Sequence, residues 1–328
     1  MSTTTDHEPN VFSVEAAATM GVGDRLRRVF SSVPTGVLWL IVIVWTIPTI
    51  GLFVSSFRPL TDVANTGWWH ALWPTNWGDF TLSSYDTVLF EDGSSRRSMW
   101  THFLNSLAIV IPASIIPIAM AAFAAYAFAW MDFRGKNWLF VGIVSMMALP
   151  NQMAFVPLLK LYNNGASWTV PFTDFTMKIF PDLQLDDRLP AATVWLTHTS
   201  FGLPLAIFLL HNYMSTLPRD MFEAARIDGA DHFTIFWRLA LPLARPALAA
   251  FGIFQFLWVW NDFLIASVFL SGEGEPMTVA LVNLVGNEGR DFELRFAAAF
   301  VTIVVPLIVF FSMQKHFVRG LMAGSVKG

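Results

Sequence analysis

Few residues of this 328-residue chain could carry out chemistry, and they do not converge. The seven histidines (His7, His70, His102, His198, His211, His232 and His316) lie far apart, and there is no cysteine. Thiolate metal sites, a cysteine nucleophile and a disulfide framework are thereby excluded. Neither an HExxH nor a GxSxG motif occurs, and the only Gly-Lys pair, Gly135-Lys136, is followed by Asn137 and lacks the earlier glycine of a phosphate-cradling loop. The chain therefore has no P-loop with which to bind ATP. Two kinds of polar feature remain. One is a charged segment at 217–242 that carries Glu223 and Gly229; the other is a set of isolated polar residues in apolar surroundings, Asp262 beside Asn261, then Asn151, Gln152, His198 and Gln255. In hydrocarbon such groups are unfavourable unless they pair or face water, so each marks either interhelical packing or a solute path. Neutral amides suit hydroxyl-rich solutes, whereas phosphate or an amino acid would call for charged partners.

Apolar helices must position these groups. Apolar residues make up 55% of the chain and charged residues 13%, too little charge for an ordinary soluble domain. The formal charge of -4 supplies no basic field for nucleic acid. A helix needs about 20 apolar residues to cross about 30 Å of hydrocarbon. That ruler predicts six spans near 34–57, 103–130, 138–160, 191–213, 246–270 and 295–317. Prolines interrupt the second (Pro112, Pro117) and third (Pro150, Pro157), and in lipid neighbouring helices can satisfy the carbonyls so freed. Asp262 is the one acidic residue inside an expected span. An even number of spans puts both termini on one side. With that side inside, the inner segments hold 12 of the 20 Lys and Arg on mostly shorter stretches, so the positive-inside rule favours cytoplasmic termini. Residues 1–33 then form a cytoplasmic tail, 34–317 the membrane domain and 318–328 a second cytoplasmic tail. The first tail has no apolar core of its own and is not read as a cleavable signal peptide. Trp68, Trp69, Trp73, Trp77 and Trp100 fall in the first outer loop and Trp138 beside a span end, and an apolar ring with a polar N–H suits anchoring at the lipid interface.

The segment 217–242 has a legible local code. Pro218 suits the first turn of a helix, Asp220 and Glu223 complement its positive end, and Gly229 can take the left-handed conformation that stops it. Asp231 can cap a second helix carrying Phe233, Ile235, Phe236, Trp237 and Leu239, until Pro242 leads back into the membrane. Such a segment is either a re-entry connector, with Glu223 and Arg226 as a surface pair, or a docking knob with Met221, Phe222 and Ile227 as anchors and Glu223 seeking a basic residue across an interface.

Glu223-Ala224-Ala225, then Gly229, then Leu241-Pro242 resembles the EAA loop of binding-protein-dependent ABC importer permeases. Asn105-Ser106, Ala125-Tyr126-Ala127-Phe128 with Phe133-Arg134-Gly135, Trp260-Asn261-Asp262-Phe263 and the ending from Gln314 to Gly328 are similar to the carbohydrate-uptake branch, over about 34–328. The resemblance implies the type I importer permease fold: an all-α integral membrane protein of six transmembrane helices in the inner (plasma) membrane of a prokaryote, surrounded by lipid. It also implies a transport subunit rather than an enzyme. The partners it implies are a second permease subunit forming a heterodimer, two ATPase subunits that hold ATP and Mg, and an extracytoplasmic solute-binding protein. No cofactor, metal or nucleic acid is expected on this chain itself.

By the same resemblance, Met221, Phe222, Glu223, Ala224, Ala225, Arg226, Asp228 and Gly229 would sit in a cleft of the ATPase, and Lys315, Arg319, Gly320 and Lys327 of the C-terminal stretch would touch the ATPases. The outer loop 271–293, with Glu273, Glu275, Glu288 and Asp291, would meet the binding protein. The stretch Phe254–Asp262 and the ending look closest to permeases for α-glucosides such as maltose or trehalose, the alternative being another sugar or a polyol. A gradient-driven secondary transporter would be expected to show inverted repeats and Gly-interrupted half-helices, and a membrane enzyme a converging His/Asp/Glu or Ser constellation. Neither signature is found in the chain.

Overall fold

The computed structural model describes residues 35–91, 98–169, 176–181, 184–270, 272–286 and 292–325. Two units are distinguished, Met1–Val54 and Ser55–Gly328. The described part of the first is helix α1 (Thr35–Ser55), which ends at the unit boundary, carries Pro48 in its interior, and has no charged residue.

The second unit begins with short helical turns at Leu60–Asn65, Trp68–Leu72 and Pro74–Asp79, followed by helix α2 (Ser83–Phe90). Arg58 is buried here, and its guanidinium donates to the carbonyls of Asp62 (3.0 Å) and Thr66 (3.3 Å) at the end of the first turn. Within the Trp-rich stretch His70 N donates to Gly67 O (3.0 Å) and Asn76 Nδ2 to His70 O (2.8 Å).

Helix α3 (Met99–Trp130) runs unbroken through Pro112 and Pro117 and packs most extensively on helix α6 (Pro190–Met214). Small residues allow that approach: Ala113, Ala121, Ala122 and Ala125 on α3 and Ala206 on α6 are all buried. Membrane helices associate through such close, van der Waals-dense faces because lipid gives no hydrophobic drive between them.

Two of the expected spans are not single straight helices. The third divides into α4 (Lys136–Ser145), with a 3-10 turn at Met146–Ala148, and α5 (Phe155–Asn164), and the two halves meet at 99°. Pro150 is the cause: it removes a backbone donor and drives the preceding Leu149 into the extended region, at φ -80° and ψ 130°. The fifth stops at Trp260 in helix α9 (Arg245–Trp260) and restarts as α10 (Leu264–Phe269). Asp262 therefore lies at a break between two helices of the expected span. Four helices are long and apolar enough to cross a membrane, or up to six if two bent pairs, Lys136–Ala148 with Asn151–Asn164 and His232–Leu243 with Arg245–Trp260, each count as one span. The last is within α12 (Phe292–Ser325).

The fold is also not purely helical. Strands β1 (Ala166–Thr169) and β2 (Thr176–Phe180) pair antiparallel, with Trp168 opposite Met177. Trp168, Thr169, Thr176 and Ile179 favour a pleated surface, and Gly165, at φ +66°, ends α5 and opens the hairpin.

The core forms two apolar clusters. One gathers Met99, Ile109, Val110, Val194, Val259, Trp260, Phe269 and Met277; the other gathers Ala121, Tyr126, Leu210, Met214, Phe222, Phe236 and Phe251. On each of α3, α6 and α9 a buried polar residue falls in sequence between the two: Ser114, His198 and Gln255 respectively.

Candidate functional site

Two regions carry the groups singled out above. In the first, helix α7 (Arg219–Ile227) starts after Pro218, which holds an extended conformation (φ -62°, ψ 120°). Its end is a Schellman turn. Gly229 sits at φ +84°, Ala230 N donates to Ala225 O and Gly229 N to Arg226 O, each at 3.0 Å. Asp231 then accepts from Thr234 N at 2.8 Å and caps helix α8 (His232–Ile235). Hydrogen bonds from the Thr234 side chain and backbone hold the Asp231 carboxyl below the usual carboxylate range. Beyond α8 the helix widens to π geometry at Phe236–Ala240 before Leu241–Leu243, and this segment meets α9 at 70°.

The side chains of α7 divide sharply. Phe222, expected as an outward anchor, is 1% exposed and stacks on Trp130 at 3.7 Å with ring planes 9° apart. Arg226 Nη2 donates to Trp130 O at 2.8 Å, satisfying a carbonyl at the C-terminus of α3 rather than pairing with Glu223. Phe222 is thus an anchor of the segment to its own chain. Glu223, Ala224, Asp228, Gly229, Met221 and Ile227 are exposed, Ile227 at 86%, and Ala225 is half-buried. Phe236 stacks on Phe123 (4.5 Å), and Tyr126 meets His232 Nδ1 through its hydroxyl at 3.0 Å, so α8 is also fixed to α3. Phe233 and Trp237 remain exposed beside α7. The result is a rigid projection whose carboxylate and apolar knobs face outward.

In the second region, His198 and Gln255 are both 0% exposed. Gln255 Nε2 donates to Ala113 O at 3.1 Å, while its Oε1, Ser114 Oγ and both His198 ring nitrogens have no hydrogen-bond partner among the described residues. Gly202 makes room for this amide, since a Cβ there would lie 2.8 Å from Gln255 Oε1. His198 Nε2 approaches Asp262 Oδ2 at 3.7 Å and its ring stands at 88° to Trp258 at 5.4 Å. Asp262 Oδ2 also accepts from Ala266 N (3.1 Å), and Asn261 Nδ2 donates to Leu257 O (2.7 Å). Side chains that compete with the ladder in this way end one helix and start the next. Asn151, Gln152 and Asn261 are exposed. Two open grooves meet along α9: one of about 590 Å3 reaches Asn261 and Asp262, the other, of about 470 Å3, reaches Asn151, Ser200 and Gln255. Phe254 and Trp258 line both. Gln152 lines neither groove, and His198 lines only a small cavity with Asp262 and Ser106.

The sequence reading missed Phe254, Trp258 and Ser200. The i, i+4, i+7 spacing of Phe254, Trp258 and Asn261 is a helical-face signal that was available. Asn105 and Ser106, part of the resemblance, hold the loop before helix α11 (Met277–Gly286): Asn105 Nδ2 donates to Glu275 O (3.1 Å) and Ser106 Oγ accepts from Met277 N (2.9 Å). The Glu275 carboxylate accepts from Gly272 N and Asn283 Nδ2. Glu288, Asp291 and Lys327 lie outside the described residues, as do the side chains of Glu273, Lys315 and Arg319; Gly320 belongs to α12.

The family model for binding-protein-dependent transport system inner membrane components matches residues 134–322. The chain is 47% identical to the osmoprotective compounds uptake permease protein GgtD of Synechocystis sp., over 88% of this chain and 89% of the relative. It is 50% identical to the alpha-glucoside transport system permease protein AglG of Rhizobium meliloti, over 76% of this chain and 61% of the relative. Its fold is similar to a chain of a bacterial ABC transporter involved in the import of the acidic polysaccharide alginate, with a TM-score of 0.63 at 19% identity over 91% of this chain and 98% of that one.

Proposed function

We propose a function from one premise: this chain belongs to the family of binding-protein-dependent transport system inner membrane components. It is the permease subunit of an ATP-driven importer, and its solute is a di- or oligosaccharide of the α-glucoside class. Six spans cross the membrane, α4 with α5 forming the third and α9 with α10 the fifth, with both termini in the cytoplasm. A second permease subunit, two ATPase subunits holding ATP and Mg, and an extracytoplasmic binding protein complete the assembly.

The observation that carries this reading is the projection at 219–237. Its Phe222 is stacked on Trp130 at the end of the longest-packed span, while Glu223 stands free to meet a partner. A helix so anchored moves as a lever: closure of the ATPases displaces α7, and the Trp130 contact passes that displacement to α3. ATP thereby shifts the population between two packings of the bundle, which requires that it favour one of them. The solute path runs along Asn151, Gln255, Asn261 and Asp262, and residues 315–328 contact the ATPases. The alpha-glucoside name of one relative supports the solute class; the osmoprotective-compound name of another supports a second reading, a compatible solute or polyol.

Uptake of radiolabelled di- and oligosaccharides by a deletion strain, with and without the restored gene, tests the reading. Glu223→Ala and Gly229→Asp should each lower uptake about tenfold or more, the scale of a typical coupling free energy, with the chain still in the membrane. Normal uptake by both variants at wild-type abundance removes the coupling role. Accumulation by the purified chain alone in vesicles removes the importer reading altogether. Deleting 318–328 should lower ATPase activity without loss of complex assembly.

A further inference from the structure

We propose that Trp258 is a stacking platform for a neutral sugar ring in this subunit, held at its working angle by the buried His198. The inference rests on the permease reading above and assigns that path a residue and a ligand chemistry. Trp258 is half-buried, lines both grooves, and among the described residues has His198 as its only ring neighbour. The contact is perpendicular, at 88° and 5.4 Å, so the imidazole braces the indole without stacking over its face. Phe254, one turn earlier on α9, is 44% exposed and extends the same aromatic strip.

The polar groups around the strip match a hydroxylated ligand. Asn261, Asn151 and Ser200 stand on the two grooves, and Gln255 Oε1 is an unpartnered buried acceptor beside them. Among the described residues Asp262 is the only ionisable group on either groove, and its Oδ2 accepts from Ala266 N and faces His198. An anionic solute would find no cationic side chain among the described residues on either groove. A pyranose ring has what the groove requires: an apolar face of C–H groups to lie on the indole, and an equatorial rim of hydroxyls to reach amides and a serine. This combination also gives a physical reason for a buried histidine with no hydrogen-bond partner: it serves packing geometry, as a positioning residue.

The test uses the whole complex, purified with its second permease and ATPases in lipid nanodiscs, and maltose as the probe. Saturation-transfer NMR with irradiation of the aromatic protons should show transfer to the sugar ring C–H protons. W258L should lower that transfer and the uptake rate about tenfold while W258F stays within about twofold of wild type, since a flat ring is what matters. If W258L does not assemble, Phe254→Ala decides in the same assay, with reduced transfer expected. Wild-type transfer in W258L, or in Phe254→Ala where that stands in, overturns the proposal and leaves the permease reading intact. A wild-type strain that imports no saccharide overturns the permease's sugar assignment itself. If p-benzoylphenylalanine placed at position 258 cross-links to the second permease or to phospholipid with maltose present, the groove has another occupant and the proposal falls.

Discussion

In the segment 219–237 the rings of Phe222 and Phe236 are sunk into the chain and the charge stands outside, with Phe222 at 1% exposure and Glu223 exposed. Along 254–262 the order is reversed: Phe254 is 44% exposed, and Gln255 beside it is 0% exposed. The first segment turns two anchoring rings inward while Met221, Ile227, Phe233 and Trp237 stay open beside the charge; along the second, polar atoms are rationed among buried positions. On the function proposed above, the first surface is one for a protein to grip and the second one for a small molecule to pass.

The comparison can be broken most forcefully at Phe222. Phe222→Ala removes a fully buried stacked ring and should destabilise the purified chain by about 3–5 kcal/mol, read as a lower melting temperature and lower membrane abundance. Ile227→Ala, at 86% exposure, should change neither. An equal loss in both variants would mean that α7 is not anchored through Phe222. The polar layer is sharpened by Gly202→Ala, whose Cβ would press within 2.8 Å of Gln255 Oε1. Such overpacking should be destabilising by about 1–3 kcal/mol, and Gln255→Ala in the same chain should restore part of it. Asp262→Ala removes the acceptor for Ala266 N and should lower stability by about 1 kcal/mol in the same melt, with α10 losing amide-exchange protection before α9 does.

The smallest effect belongs to Asp231→Ala, which strips the cap from an exposed helix start. Because the folded-state carboxyl is depressed, its contribution is complete above the ordinary carboxylate range and is lost as pH falls through the lower folded value. Wild type should therefore melt slightly above the variant at neutral pH, and the difference should vanish in acid. A difference that persisted at low pH would show that the cap does not depend on the carboxylate.

Local features of both regions were legible in advance. Pro218, Gly229 and Asp231 act within a few residues of themselves, and the helix start, the left-handed stop and the cap lie where their chemistry puts them. The apolar runs likewise announced helices at α1, α3, α6 and α12. Pro150 signals a kink in one span by its own chemistry, but the angle of 99° depends on what the two halves pack against. The hairpin at 166–180 was overlooked because its strands are short and exposed, with no buried alternation to reveal them.

The sequence alone determined that this chain is a bundle of apolar helices with one charged, capped segment resembling an importer's coupling loop, because hydrophobic run length and capping chemistry are local. Only the tertiary structure decided which of Met221 and Phe222 turns inward, that Asp262 sits at a break, and that Trp258 faces two grooves with His198 behind it. Those facts depend on contacts between distant residues: Arg226 meets Trp130 across 96 positions and Gln255 meets Ala113 across 142. No window of neighbouring residues contains both members of such a pair, so their geometry emerges only when the helices have packed.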